Sequence, residues 1–97
     1  MLDMHYVYLI QNDVTYEIYI GTTSNLRKRL DEHNAKGKKF TNRKNSKWLY
    51  VYVGLYRSKK DAVNREQKLK RHAKGKYELL KRLSSSLLEP KIGEGRS

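Results

Sequence analysis

The sequence predicts a fold of the α/β class in its α+β form, a small three-stranded antiparallel sheet with flanking helices in the order β-β-α-β-α-α. Three observations lead there. Two β-branched and aromatic segments near the start are joined by a stretch too short for a helical crossover. A run of nine residues, Trp48 to Tyr56, is almost wholly apolar. Between and after these strands lie segments with helical apolar spacing, opened by Ser, Thr or Asn. At 97 residues the chain has room for one modest core, which we assign to residues 1–83, with residues 84–97 as a tail.

The first strand is read at residues 4–10, MHYVYLI, with Tyr6, Tyr8 and Ile10 on one face and His5, Val7 and Leu9 on the other. Asn12-Asp13 signals a turn within QNDVT. The second strand is read at residues 16–20, YEIYI, ended by Gly21. Antiparallel pairing of the two strands brings Tyr8 and Tyr19 within reach of each other. Thr22, Thr23, Ser24 and Asn25 offer capping groups, and Ser24 is the expected N-cap of a helix from Asn25 to Ala35. Leu26 and Leu30 define its buried stripe. Arg29 and His33 are four positions apart and sit beside that stripe, while Arg27, Lys28 and Asp31 face outward.

Residues 36–47, KGKKFTNRKNSK, are expected to form a basic surface loop able to contact phosphate. The apolar run at 48–56 is read as a strand covered on both faces, in the middle of the sheet, with Gly54 marking a bulge or its end. Ser58, with Asp61 three residues on, opens the next helix. Its apolar stripe is Ala62 and Leu69 with Val63 at the edge, and Glu66 interrupts it. A carboxylate on an apolar face is costly without a partner, so a cation should meet it, either a protein side chain such as Arg29 or a metal. His72 to Gly75 is read as a break. The last helix, residues 76–83, is expected to turn Tyr77, Leu80 and Leu83 inward. The tail, SSSLLEPKIGEGRS, is expected to be partly disordered, with Leu87 and Leu88 able to dock locally.

Charge narrows the function classes. Lys and Arg number 22 against 10 Asp and Glu, a net charge of +12. All of the basic residues lie from Arg27 onward. Such an excess favours a polyanion, most often nucleic acid. There is no cysteine, hence no disulfide framework or thiolate zinc site. No apolar run approaches the ~20 residues of a membrane span, and MLDMH does not resemble a signal peptide. A soluble intracellular protein, cytoplasmic or nucleoid-associated, is expected. A tyrosine, an arginine and a histidine gathered at a strand–helix junction suggest a phosphate site.

Four elements carry a resemblance to a known family. Tyr6-Val7-Tyr8 and Tyr19-Ile20-Gly21 resemble the two motifs of the GIY-YIG nucleases, with Tyr8 and Tyr19 eleven positions apart. Leu26-Arg27-Lys28-Arg29 followed by His33 resembles the family's L-x-x-R-x-x-x-H helix. Ala62 to Lys70, AVNREQKLK, resembles its glutamate-bearing helix, with Glu66 at the acidic position. The match covers about residues 5–82. The branch most resembled is that of the small free-standing excision-nuclease-like proteins, related to the nuclease domain of the nucleotide-excision incision enzyme. Three departures stand out. Tyr6 replaces the glycine that opens the first motif, Thr22 stands where some members have a lysine, and residues 73–83 contain no counterpart of an asparagine found in others.

The resemblance implies phosphodiester hydrolysis in DNA, and with it a place in DNA repair, using one Mg²⁺ or Mn²⁺ ion held by Glu66. Arg29 would stabilise the phosphate. Tyr19 would activate water with Tyr8 as partner, or the reverse, and His33 would orient the tyrosine or contact phosphate. Arg27, Lys28, Lys38, Lys39, Arg43, Lys44, Lys68 and Lys70 are the candidate nucleic-acid contacts. DNA is the expected partner, whether branched, damaged or single-stranded, and RNA is a further candidate. The competing reading is a catalytically weak or inactive nucleic-acid-binding module on the same scaffold.

Overall fold

The computed structural model describes residues 4–41 and 46–88, with the backbone alone described for 36–41. Its elements are β1 (His5–Asn12), β2 (Ile18–Thr23), α1 (Leu26–Thr41), β3 (Trp48–Tyr56), α2 (Lys59–Arg71) and α3 (Ala73–Arg82). This is the expected element order and the expected antiparallel α+β fold. The sheet order is β2-β1-β3, with both pairs antiparallel.

β1, not β3, is therefore the middle strand. Val7, Tyr8, Leu9 and Ile10 are all buried at 1% exposure or less, because neighbours pair with both edges of β1 and side chains cover both its faces. The longer apolar run of β3 is an edge strand that leaves Leu49, Val53 and Leu55 exposed. Apolar composition indicated a strand but not its neighbours. The bulge also moves. Leu9 faces Tyr52 and Ile10 faces Tyr50, so Val51 is the extra residue, while Gly54 lies within the strand opposite Val7.

The hairpin turns later than expected. The Asn12 carboxamide oxygen accepts from the Val14 and Thr15 amides, at 2.9 Å each, and Tyr16 adopts a left-handed φ of 64°. β2 consequently starts at Ile18 rather than Tyr16 and runs through Gly21 to Thr23.

α1 is capped by Asn25, whose Oδ1 accepts from the Lys28 amide at 3.0 Å, rather than by Ser24. The side chain of Thr23 in turn accepts from the Asn25 amide. The helix runs on to Thr41, beyond the expected end at Ala35. Ser58 caps α2 as expected, accepting from the Asp61 amide, and Ala62 and Leu69 are its buried residues.

The break after α2 is the single residue His72, and Gly75 is accommodated inside α3. An earlier start to α3 sets a different inward stripe. Leu79 is buried, Leu80 and Leu83 pack beside it, and Tyr77 is 62% exposed. Leu87 joins the same cluster. The Leu88 backbone exchanges two hydrogen bonds with the buried Gln11 carboxamide, at 2.7 and 3.3 Å. Residues 89–97, where tail disorder was expected, and residues 42–45 of the basic segment lie outside the described residues.

The core is one cluster of Val7, Leu9, Ile20, Ala62, Leu69 and Leu79, which packs α2 and α3 on one face of the sheet. The opposite face, bearing Tyr8 and Tyr50, meets α1. There the Tyr50 hydroxyl donates to the Leu26 carbonyl, and Asn34 is bonded to the backbone of Trp48. Among the described residues no helix is long and apolar enough to cross a membrane.

Leu69→Ala is expected to lower unfolding free energy by about 2–5 kcal/mol, because the side chain is fully enclosed. Leu55→Ala, at 57% exposure, is expected to change it by less than about 0.5 kcal/mol. Urea denaturation of both variants checks the assignment of core and edge.

Candidate active site

Tyr8 is the centre of the site. It projects from the middle strand onto the α1 face of the sheet and is completely buried. A buried phenol needs a hydrogen-bond partner. Its hydroxyl shares a bond of 2.9 Å with His33 Nε2 and also meets the Arg29 guanidinium. The expected helix spacing thus delivers Arg29 and His33, one turn apart on α1, to one hydroxyl group. Burial pushes the Tyr8 phenol up from its ordinary value, and Arg29 partly offsets this. The bond to Tyr8 in turn raises the Arg29 guanidinium.

Rings pack around Tyr8. Tyr19 is stacked with it at 6.3 Å between centroids, and Tyr50 meets it edge-on at 5.7 Å. His33 lies 4.8 Å from the Tyr19 ring and 6.2 Å from that of Trp48. Tyr19 is 43% exposed, so of the two motif tyrosines it is the one open to solvent.

Gly21 makes this packing possible. It is the cross-strand partner of Tyr8. A Cβ on it would stand 2.6 Å from the Tyr8 hydroxyl, 2.8 Å from Tyr8 Cζ and 3.1 Å from Tyr19 Cε1. The phenol occupies the space that any other side chain at position 21 would fill.

Arg29 is held by its Nη1 bond to the Thr22 carbonyl at 3.2 Å and by Glu32 at 3.1 Å from Nε. It remains 38% exposed and walls two clefts, of about 320 and 290 Å³, that also share Thr23 and Ser24. Lys28 lines the smaller cleft. A guanidinium fixed from behind and open in front suits a phosphate group.

Glu66 comes from α2. Its side chain is 13% exposed, and Oε2 pairs with Lys70 Nζ at 2.9 Å. Lys70, not Arg29, is the protein cation that meets it. The same ammonium lies 5.6 Å from the Tyr19 ring centroid, which ties α2 to the aromatic cluster. Glu66 raises the Lys70 ammonium above its ordinary value. Among the described residues no three His, Cys, Asp or Glu side chains gather into a ligand set. A cage of protein ligands is therefore not built there. A single carboxylate completed by water is the donor set that fits Mg²⁺ or Mn²⁺ at a phosphate.

Tyr8, Tyr19, Arg29, His33 and Glu66 thus converge from β1, β2, α1 and α2. Arg27, Lys28 and Lys68 are exposed. The side chains of Lys38, Lys39, Arg43 and Lys44 lie outside the described residues. Sequence reasoning missed Tyr50 and Trp48, whose places follow from the pairing of β3 with β1. Lys70, expected only as a nucleic-acid contact, is also the partner of Glu66, and the two have the i, i+4 order of a helical ion pair.

This is a small α+β domain with an open arginine and a carboxylate set around a buried tyrosine. Residues 4–78 match the GIY-YIG catalytic domain, and the chain belongs to this family of nucleases. Three curated proteins are similar along most of the chain. The UPF0213 protein SH2523 of Staphylococcus haemolyticus is 37% identical over 67 residues, covering 68% of this chain and 79% of its own. The UPF0213 protein VNG_2274C of Halobacterium salinarum is 35% identical over 79 residues, 79% of this chain and 99% of its own. The UPF0213 protein HQ_3675A of Haloquadratum walsbyi is 29% identical over 91 residues, 93% of this chain and all of its own. No solved structure gives a significant match.

Gly21→Ala is expected to destabilise the domain by about 1–3 kcal/mol through overpacking. The cost should shrink in a Tyr8→Phe background, where the nearest clashing atom is gone, and a double-mutant cycle by urea denaturation measures that coupling. A second expectation concerns pH. The raised Tyr8 and Lys70 groups keep their protons in the folded state at pH values where the unfolded chain has lost them. Their contribution is whole below the ordinary tyrosine value of 10.0 and is lost as pH rises beyond it. Tyr8→Phe and Lys70→Met should each flatten the alkaline loss of stability, read as urea midpoint against pH.

Proposed function

We propose that the chain is a divalent-metal-dependent endonuclease that hydrolyses phosphodiester bonds in DNA. The observation that carries this reading is the nearly buried Glu66 carboxylate, held at the tyrosine cluster on which Arg29 also converges. A pure binding surface for a polyanion has no use for a carboxylate at its centre.

The roles follow from position. Arg29, anchored through Thr22 and Glu32, grips the phosphate and takes up the charge that grows on its oxygens. Glu66 would hold one Mg²⁺ or Mn²⁺ ion, which supplies positive charge to the phosphate and to the leaving oxygen. Tyr19, exposed beside His33, orients the attacking water and, as the phenolate, takes its proton. Tyr8 is buried and raised, so it stays protonated and acts as the hydrogen-bonded partner that fixes His33 and Arg29. The net charge of +12 draws a polyanion to the cleft, and the exposed Arg27, Lys28 and Lys68 extend the basic surface.

Purified protein should nick supercoiled DNA with Mg²⁺ or Mn²⁺ and not in EDTA. Glu66→Ala and Arg29→Ala should each lower the rate by about 100-fold or more while leaving the circular dichroism spectrum unchanged. Salt-sensitive DNA binding with no metal-dependent cutting would instead mark a binding module. Faster cleavage of RNA than of any DNA form would reassign the substrate.

A further inference from the structure

We propose that Lys70 is the resident counter-ion of the Glu66 carboxylate, which a divalent ion must displace, so that Lys70 sets both the metal affinity of the site and its tolerance of a phosphate before the metal arrives. The inference rests on the reading of Glu66 as the metal ligand.

Three observations support it. The ammonium sits 2.9 Å from Oε2 of a carboxylate that is only 13% exposed, so there is little room for a second cation to approach while it stays. Among the described residues Lys70 is the ion-pair partner of Glu66, and one helical turn fixes the pair within α2. Lys70 itself is 43% exposed and lies 5.6 Å from the Tyr19 ring centroid, so its long side chain can leave Glu66 and stay over the Tyr19 ring.

The physics then runs in both directions. Two cations on one carboxylate oxygen repel each other, so metal and ammonium compete. With neither present, a bare carboxylate faces the phosphate that Arg29 attracts. Lys70 therefore lowers metal affinity and protects DNA binding in the absence of metal. A lysine that merely stabilises the helix would do neither.

Calorimetric titration of the full chain with Mn²⁺ tests the first half, and fluorescence anisotropy of a labelled DNA oligonucleotide in EDTA tests the second. Lys70→Met should bind Mn²⁺ roughly three- to tenfold more tightly than wild type and bind DNA more weakly in EDTA. Lys70→Arg should stay close to wild type in both. In a Glu66→Gln background, Lys70→Met should lose less DNA affinity than it does alone. Unchanged or weaker Mn²⁺ binding by Lys70→Met, with Glu66→Gln abolishing binding, would overturn the proposal and leave the metal site standing. Mn²⁺ binding untouched by Glu66→Gln would overturn the metal reading, and the proposal with it.

Discussion

A phenol buried in the middle of a sheet face sets two requirements. It needs an empty place beside it on the neighbouring strand, and its hydroxyl needs a partner in the absence of water. Gly21 meets the first and α1 meets the second, through His33 and Arg29. The hydroxyl of Tyr8 thus helps to set how α1 lies on the sheet. Tyr50 and Asn34 fasten the same helix to β3 at Leu26 and Trp48. The bonds that satisfy the buried group are the bonds that assemble the site, and stability and chemistry share them.

Strand parity keeps this polar assembly apart from the core. Val7 and Leu9 point from β1 to the face that α2 and α3 cover, while Tyr8 points to the face that α1 covers. Glu66 is the exception that joins the two faces. It lies on the same helix as Ala62 and Leu69, so α2 must dock correctly in the core for its ion pair with Lys70 to reach the Tyr19 ring.

What was legible in the sequence is what depends on local period and spacing. Alternation in β1, the i, i+4 pair of Arg29 and His33, the Ser58 cap and the odd carboxylate on the Ala62–Leu69 stripe all survive in the structure. What was not legible depends on choices between competing local solutions or on neighbours distant in sequence. Asn25 and Ser24 are both good caps, and only the Lys28 hydrogen bond shows which one the backbone took. β3 has the stronger apolar run, yet β1 is central because the hairpin occupies one of its edges and the return from α1 occupies the other. A helix beginning at Lys76 would turn Tyr77 inward, but α3 begins at Ala73, and that earlier start makes Leu79 the buried residue instead.

Electrostatics adds a constraint that no strand pattern records. The chain carries +12 overall, so almost any surface it presents will attract a polyanion. Attraction alone does not cut a phosphodiester, and under the proposed function the Glu66 carboxylate beside a bound phosphate would work against it. A bare carboxylate about 5 Å from a phosphate costs roughly 3 kcal/mol at a protein-surface dielectric, a large share of the affinity a small basic domain can gain. The Glu66–Lys70 pair removes that cost without removing the carboxylate. On the proposed reading, it keeps the site attractive to a nucleic acid while the carboxylate stays in place.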